Sequence, residues 1–332
     1  MKDVRAIFGY LIRGGYKRIL KHPFIKLIEI YFRFRHSWLI WFYVLNRKPR
    51  RLFSALPPTL NPVQKRLVGE LRETGIAEAH LDELFPGENL LPELQRYTQE
   101  LVRKAEVKTG KTFLEYLWDV VPVLDFTNPF VRISLDERVL DIVNSYMEMF
   151  SRFYYLTLNV AKPVTTGMKP TASQRWHRDP EEKKMIKLLL YLDDVDEESG
   201  PFIYIPRSAY GLRVGKFLPQ RPPRGVYPNP GEIERHIPQE YVRRLTGKAG
   251  TLIFCNTTGF HKGGYATAKP RIMFTAGYRS HASCWLDQYK CPEDFEEEVK
   301  RLTPAPAVRY TLEFNANRIS TFLLYWLKGN KY

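Results

Sequence analysis

Cysteine is scarce in this chain: Cys255, Cys284 and Cys291 are the three in 332 residues, an odd number with no C-x-x-C pair. That spacing excludes a disulfide framework and a zinc knuckle, and it suits a reducing, cytoplasmic setting. Long apolar runs are missing too. The longest, Trp38 to Leu45, falls well short of the roughly eighteen residues a spanning helix requires, and Arg47, Lys48, Arg50 and Arg51 follow it at once. Residues 1–30 show neither the continuous apolar core nor the small-residue cleavage site of a secretory signal. There is no internal repeat and no low-complexity tract. Acidic side chains are nearly absent from the first 53 positions, where Asp3 and Glu29 stand against thirteen Lys or Arg.

That last shortage makes the start of the chain unusual. The whole sequence has a formal charge of +15, yet the remaining 279 residues hold thirty-eight basic and thirty-four acidic side chains. Most of the excess therefore sits in residues 1–53, among large apolar residues such as Phe8, Leu11, Ile28, Phe32, Trp38, Trp41 and Phe42. Aliphatic and aromatic residues mixed with Lys and Arg are the composition of an interfacial helix on an anionic membrane surface. A helical extension packed on the main domain, its basic face solvated, is the plainer reading. A nucleic-acid patch is disfavoured, since it would show fewer aliphatics and a recognisable module.

Leu56 to Pro62 is a proline-rich linker in which Asn61 caps a helix and Pro62 opens it. Val63, Leu67, Val68 and Leu71 repeat at helical spacing up to Gly75. Further helices are expected over 92–107, Thr112 to Val120 and Leu135 to Met149. From Phe153 the period changes. Tyr154 to Val160, Lys187 to Leu192, Phe202 to Ile205, Leu252 to Phe254 and Ile272 to Tyr278 read as short strands between Pro and Gly turns, the pattern of a barrel or jelly roll. Residues 216–240 hold six prolines and read as a lid or substrate-binding loop, or else as a loose surface excursion.

The chemistry gathers at His177, Asp179 and His261. Residues two apart on a strand point to one face, so the H-x-D pair can reach one metal, and His261, 84 residues after His177, completes a two-histidine, one-carboxylate facial set. Such a set suits non-haem Fe(II) and leaves positions open. Arg271 follows in a strand-like segment and can offer its planar fork to a carboxylate. A dicarboxylate cosubstrate chelating iron at one end needs that anchor at the other. His22, His36 and His80 lack such company and read as ordinary polar residues.

The order His177-x-Asp179, then Ser199-Gly200-Pro201-Phe202-Ile203-Tyr204-Ile205-Pro206-Arg207-Ser208, then His261 and Arg271 resembles the phytanoyl-CoA dioxygenase family over about residues 60 to 285. Arg207 and Ala209 stand where that family usually has Gly and His, and Leu189 where it often has Trp. The resemblance implies a mainly β core with α elements, a double-stranded β-helix (jelly roll) braced by N-terminal helices. On that reading 1–55 is a basic aromatic extension, 56–150 a helical support region, 151–285 the catalytic core and 286–332 a C-terminal extension. It further implies an Fe(II)/2-oxoglutarate-dependent oxygenase using O2, with metal and catalytic residues His177, Asp179 and His261. Arg271 would grip the distal carboxylate of 2-oxoglutarate, with Asn159, Lys187 and Tyr191 as further contacts. Retention of Asp179 disfavours halogenation. Trp176 is expected in the core, and Thr258 and Lys262 as groups orienting His261. The substrate is expected to be a lipid, a lipid-linked sugar or another small metabolite. Competing readings are a membrane-peripheral scaffold on a silent jelly roll and a cupin-type metal enzyme that makes no use of 2-oxoglutarate, which leaves Arg271 without a task.

Overall fold

The computed structural model describes residues 16–104, 113–164, 169–216, 227–302, 305–313 and 318–331. In chain order the helices are α1 (Tyr16–Arg35), α2 (Arg47–Ala55), α3 (Pro62–Thr74), α4 (Leu81–Leu84), α5 (Leu90–Lys104), α6 (Pro129–Leu135), α7 (Glu137–Met147), α8 (Glu232–His236), α9 (Phe295–Leu302), α10 (Pro306–Leu312) and α11 (Arg318–Lys331). A π-helix, Ile40–Leu45, lies between α1 and α2. The strands are β1 (Ile76–His80), β2 (Leu114–Tyr116), β3 (Arg152–Ala161), β4 (Met185–Tyr191), β5 (Phe202–Tyr204), β6 (Arg243–Leu245), β7 (Thr251–Cys255), β8 (His261–Gly263) and β9 (Arg271–Arg279). They form a six-stranded sheet in the order β1-β7-β4-β9-β3-β2 and a three-stranded sheet in the order β6-β5-β8. Every pairing between these strands is antiparallel.

The two-residue period of the strands divides the large sheet into two faces. Leu156 and Leu158 of β3, Ile186, Leu188 and Leu190 of β4, Leu252 and Phe254 of β7, and Phe274, Ala276 and Tyr278 of β9 join one buried cluster with α3, α6 and α7. Residues of opposite parity, Leu189 and Tyr191 of β4 with Ile253 and Cys255 of β7, pack instead with Phe202, Tyr204 and Leu245 of the small sheet. Burying a Leu or Phe in such a cluster is worth about 1.5–3 kcal/mol, so register slippage that exchanged the faces would be costly. One face is the core, and the other looks into the space between the sheets.

Local sequence sets the helix ends. Asn61 accepts from the Gln64 N–H at 2.9 Å, the Gln64 side chain accepts from the Asn61 N–H at 2.9 Å, and Pro62 opens α3. Gly75 ends it at φ 85°, with space for no side chain: a Cβ there would lie 2.4 Å from the Tyr204 hydroxyl. Asp136 caps α7 through the Arg138 N–H.

Two expectations need correction. Thr112 to Val120 is not helical: Thr112 lies outside the described residues, and Leu114–Tyr116 is strand β2, paired in register with Ala161 to Asn159 of β3. An open sheet edge and a β-favouring tyrosine override weak helical spacing. The 56–150 segment is also more than helical support, since β1 and β2 from it form both edges of the large sheet.

Helices α1 and α11 pack together on one flank. Trp41 and Phe42 of the π-helix enter the main core, while Ile28 and Phe32 of α1 join Cys284, Leu324 and Leu327. The Arg35 guanidinium donates to the Ala282 carbonyl at 2.5 Å and to the Cys284 Sγ at 3.0 Å. The Phe24 ring meets Trp326 edge-on at 4.9 Å, and the Tyr31 and Ser320 hydroxyls are 2.5 Å apart.

Candidate metal centre and cosubstrate site

His177 and His261 meet as an isolated antiparallel bridge, the His177 N–H donating to His261 at 3.1 Å and the His261 N–H to His177 at 3.0 Å. Two residues on, the Asp179 N–H donates to the Thr257 carbonyl at 2.9 Å. Backbone pairing thus brings together side chains that are 84 residues apart. One donor atom from each of His177, Asp179 and His261 lies within 4.8 Å of the others. The Nε2 atoms of the two rings are 3.9 and 3.7 Å from the Asp179 oxygens.

The tautomers suit a cation. His177 Nδ1 is 2.8 Å from the Arg175 carbonyl and His261 Nδ1 is 2.9 Å from the Gly259 carbonyl. A carbonyl only accepts, so each ring carries its proton on Nδ1 and turns an Nε2 lone pair toward the shared space. Burial, reinforced by His177, brings the His261 pKa down to about 3, which keeps it neutral. Burial alone would raise Asp179, but the Lys187 ammonium outweighs it and holds the carboxyl well below its ordinary range. Two neutral imidazoles and a carboxylate are the donor chemistry of a divalent iron site.

These donors line a cavity of about 580 Å³ between the sheets. Its floor is the inward parity of the large sheet: Lys187 and Leu189 of β4, Met273 and Thr275 of β9, Tyr155 and Asn159 of β3. Arg271 also lines it, fully buried. One guanidinium nitrogen donates to the Gly200 carbonyl, and Nε has no partner among the described residues. Burial lowers the Arg271 pKa, with Tyr191 opposing. A buried cation with an unsatisfied donor facing a cavity fits a carboxylate ligand.

Other expected contacts fall differently. The Lys187 ammonium lies 2.7 Å from Asp179 Oδ2, so it serves the carboxylate of the triad rather than a distal ligand. Tyr191 does not line the cavity. Its hydroxyl donates to the Leu245 carbonyl at 2.8 Å and accepts from the Phe202 N–H at 3.0 Å, which leaves it as a tie between the sheets. Asn159 does face the cavity, and its Oδ1 is unpartnered among the described residues. Thr258 and Lys262 do not orient His261: the Thr258 hydroxyl accepts from the Tyr210 N–H, Lys262 lies over the Trp176 ring, and the Gly259 carbonyl does the orienting. Trp176 packs with Ile205, Ile233, Ile237 and Phe260.

Several cavity residues gave no signal in sequence. Glu181 follows Asp179 at the same parity; burial and then Asp179 push its carboxyl up to about 7. Trp285, Leu324, Leu327 and Lys328 form a wall from the far end of the chain. Within 216–240, residues 217–226 lie outside the described residues, and Tyr227 stacks on His177 with ring centroids 5.6 Å apart. Residues 165–168 likewise lie outside them.

The sequence profile of the phytanoyl-CoA dioxygenase (PhyH) family matches residues 88–273, more than half of the chain. The chain belongs to the phytanoyl-CoA dioxygenase family. It is a non-haem iron oxygenase dependent on 2-oxoglutarate, with a sheet-rich jelly-roll core. Among solved structures it is similar to the epimerase SnoN in complex with Fe3+, alpha ketoglutarate and nogalamycin RO, at 18% identity over 68% of this chain and 86% of that one, with a TM-score of 0.51. It is also similar to SnoK, the alpha ketoglutarate-dependent carbocyclase from nogalamycin biosynthesis, at 18% identity over 75% of this chain and 94% of that one, with a TM-score of 0.50. At such identity these likenesses speak for a shared fold. No curated protein matches the chain. Among the described residues of this PhyH-family protein, no helix is long and apolar enough to cross a membrane.

Proposed function

We propose that His177, Asp179 and His261 hold the iron, that Arg271 grips the distal carboxylate of 2-oxoglutarate, and that the enzyme hydroxylates a C–H bond of an amphiphilic small molecule. The observation that carries the ligand assignment is the convergence of three donors within 4.8 Å with both imidazole tautomers set by backbone carbonyls. Bound iron and 2-oxoglutarate supply the oxidising power, with succinate and CO2 as coproducts.

The chain's own residues position and exclude. Lys187 holds Asp179 ionised and oriented. Leu189 is the apolar surface between the metal end and Arg271, Asn159 presents a free acceptor to the cavity, and Tyr227 covers the outer side of His177. The cavity suits a small molecule in size. Its outer wall of Phe113, Trp285, Leu324 and Leu327 favours one with a substantial apolar part, such as a lipid or lipid-linked sugar. The basic, aromatic residues 1–53 support a peripheral position on the inner face of a membrane; residues 1–15 lie outside the described residues.

The assignment is tested anaerobically, by adding Fe(II) and then 2-oxoglutarate to apo-protein and recording the visible spectrum. A charge-transfer band present in the wild type and absent in His177→Ala is the expected result. Iron binding without a band would overturn the 2-oxoglutarate reading in favour of a cupin-type enzyme.

A further inference from the structure

The flank made by the two chain ends exposes apolar side chains in register. On α1, Phe24, Leu27, Ile30 and Phe34 recur three to four residues apart, and Leu27 and Phe34 are 62% and 64% exposed. On α11, Ile319, Phe322 and Tyr325 recur every three residues, and Ile319 and Phe322 are 74% and 67% exposed. In each helix the opposite stripe, Ile28 with Phe32 and Leu324 with Leu327, is buried against its neighbour. Both helices thus have two apolar faces, and among the described residues only one of them is covered. Beyond α1 the surface continues through Trp38, Leu39, Tyr43 and Val44, all exposed. Folded chains seldom leave so many large apolar groups together in water without a partner.

Charge selects the partner. Leaving out buried Arg35 and cavity-lining Lys328, the sequences of α1 and α11 together contain seven Lys or Arg and one acidic residue, Glu29, and Arg47, Lys48, Arg50 and Arg51 follow the π-helix. A second copy on this face would set cation against cation. An anionic bilayer meets both features at once, burying the apolar stripe while its headgroups neutralise the flanking cations. Exposed Trp38 and Tyr43 suit the headgroup level.

We propose that α1, the π-helix and α11 form one docking face that lies in the plane of an anionic bilayer, with the C-terminal helix as an integral half of it. The inference rests on the reading of the substrate as an amphiphile and explains how it arrives. Helix α11 has the membrane on its Ile319–Phe322–Tyr325 side and the catalytic cavity on its Leu324–Leu327–Lys328 side. An amphiphile passing from bilayer to iron crosses the thickness of one helix.

The test is flotation of the full chain with vesicles of phosphatidylcholine alone or mixed with phosphatidylglycerol, with the anaerobic iron and 2-oxoglutarate band recorded on the same samples. Anionic vesicles are expected to carry the wild type upward, less so at high salt. Ile319→Ser with Phe322→Ser should lower that partitioning by about tenfold or more while the band stays intact. Leu27→Ser with Ile30→Ser should behave alike. Wild type that stays below both kinds of vesicle, or an α11 variant that floats as the wild type does, would overturn the proposal. So would a concentration-dependent dimer in sedimentation that the α11 variant dissolves. The band reports on the ligand assignment separately, so a failure there is not mistaken for a failure of docking.

Discussion

The two ends of the cavity are built on opposite plans. At the inner end the groups are held by strands: His261 begins β8, Arg271 begins β9, Lys187 and Leu189 lie on β4, and the segment of His177 and Asp179 is tied in by backbone bonds to His261 and Thr257. Strand register fixes their separation to a fraction of an ångström, which is what a metal and a rigid dicarboxylate require. At the outer end Trp285, Leu324, Leu327 and Lys328 come from a loop and a terminal helix, and Tyr227 from a connecting segment. The loop and helix of the outer end can change without disturbing the register that sets the inner one.

Substitutions at the inner end should damage cosubstrate binding, and the largest loss is expected at Arg271. Removing a charge-assisted double hydrogen bond costs about 3 kcal/mol, so Arg271→Ala should weaken 2-oxoglutarate binding roughly a hundredfold in a titration of the charge-transfer band. Leu327→Ser, at the outer end, should leave that titration unchanged; an equal loss there would dissolve the distinction between the ends. Lys187→Met comes next. It removes the partner that holds Asp179, and Fe(II) affinity measured by competition with a chelator should fall about 10- to 100-fold.

A separate effect, on stability rather than binding, concerns the support behind the site. Burial, followed by the charge of Arg152, lowers the His281 pKa to about 3, and burial lowers His36 to about 4. Each is neutral when folded and takes up a proton on unfolding. Their contribution is therefore complete above pH 6.5 and is lost as pH falls toward 3–4, by about 1.4 kcal/mol per unit for each group. Apo-protein followed by denaturant titration should lose stability on acidification from pH 7 to 5, and His281→Phe should flatten that slope. Smallest of all is Arg207→Gly. Arg207 sits at φ 62°, a left-handed conformation that glycine adopts freely, and its guanidinium pairs with exposed Glu73. Relief of backbone strain and loss of a surface ion pair nearly offset, so the midpoint should move by less than about 1 kcal/mol, whereas Arg207→Val should destabilise by about 1–2 kcal/mol.

The same contrast explains what the sequence discloses. Strands are legible because their alternation is dictated by two-sided burial, and α3 because Asn61, Pro62 and Gly75 each act within a few residues. The convergence of His177, Asp179 and His261 is legible because H-x-D matches the two-residue period of extended chain, although a single bridge rather than a full strand carries it here. Parity puts Lys187 on the cavity face, where the structure has it, but does not show that its ammonium reaches Asp179. Tyr191 shares that face, yet the Leu245 carbonyl and the Phe202 N–H occupy its hydroxyl. The strand β2 was hidden because an edge takes its conformation from the neighbour it pairs with. The wall from α11 lies some 150 residues from Asp179, and no local pattern encodes a contact made by packing one chain end on the other.

The bridge between His177 and His261 ties all of this to the metal. One rung of backbone hydrogen bonds closes the gap between a loop and the small sheet, and the side chains on that rung are the two proposed nitrogen donors. On the proposed assignment, iron held by His177 and His261 would be a clasp on the fold as well as a reagent. It would bind the closed rung and not the open chain, so a hundredfold excess over its dissociation constant would add about 2.7 kcal/mol to stability. Heating with and without a chelator would weigh that clasp directly, and an oxygenase stripped of iron would unfold earlier as well as fall silent.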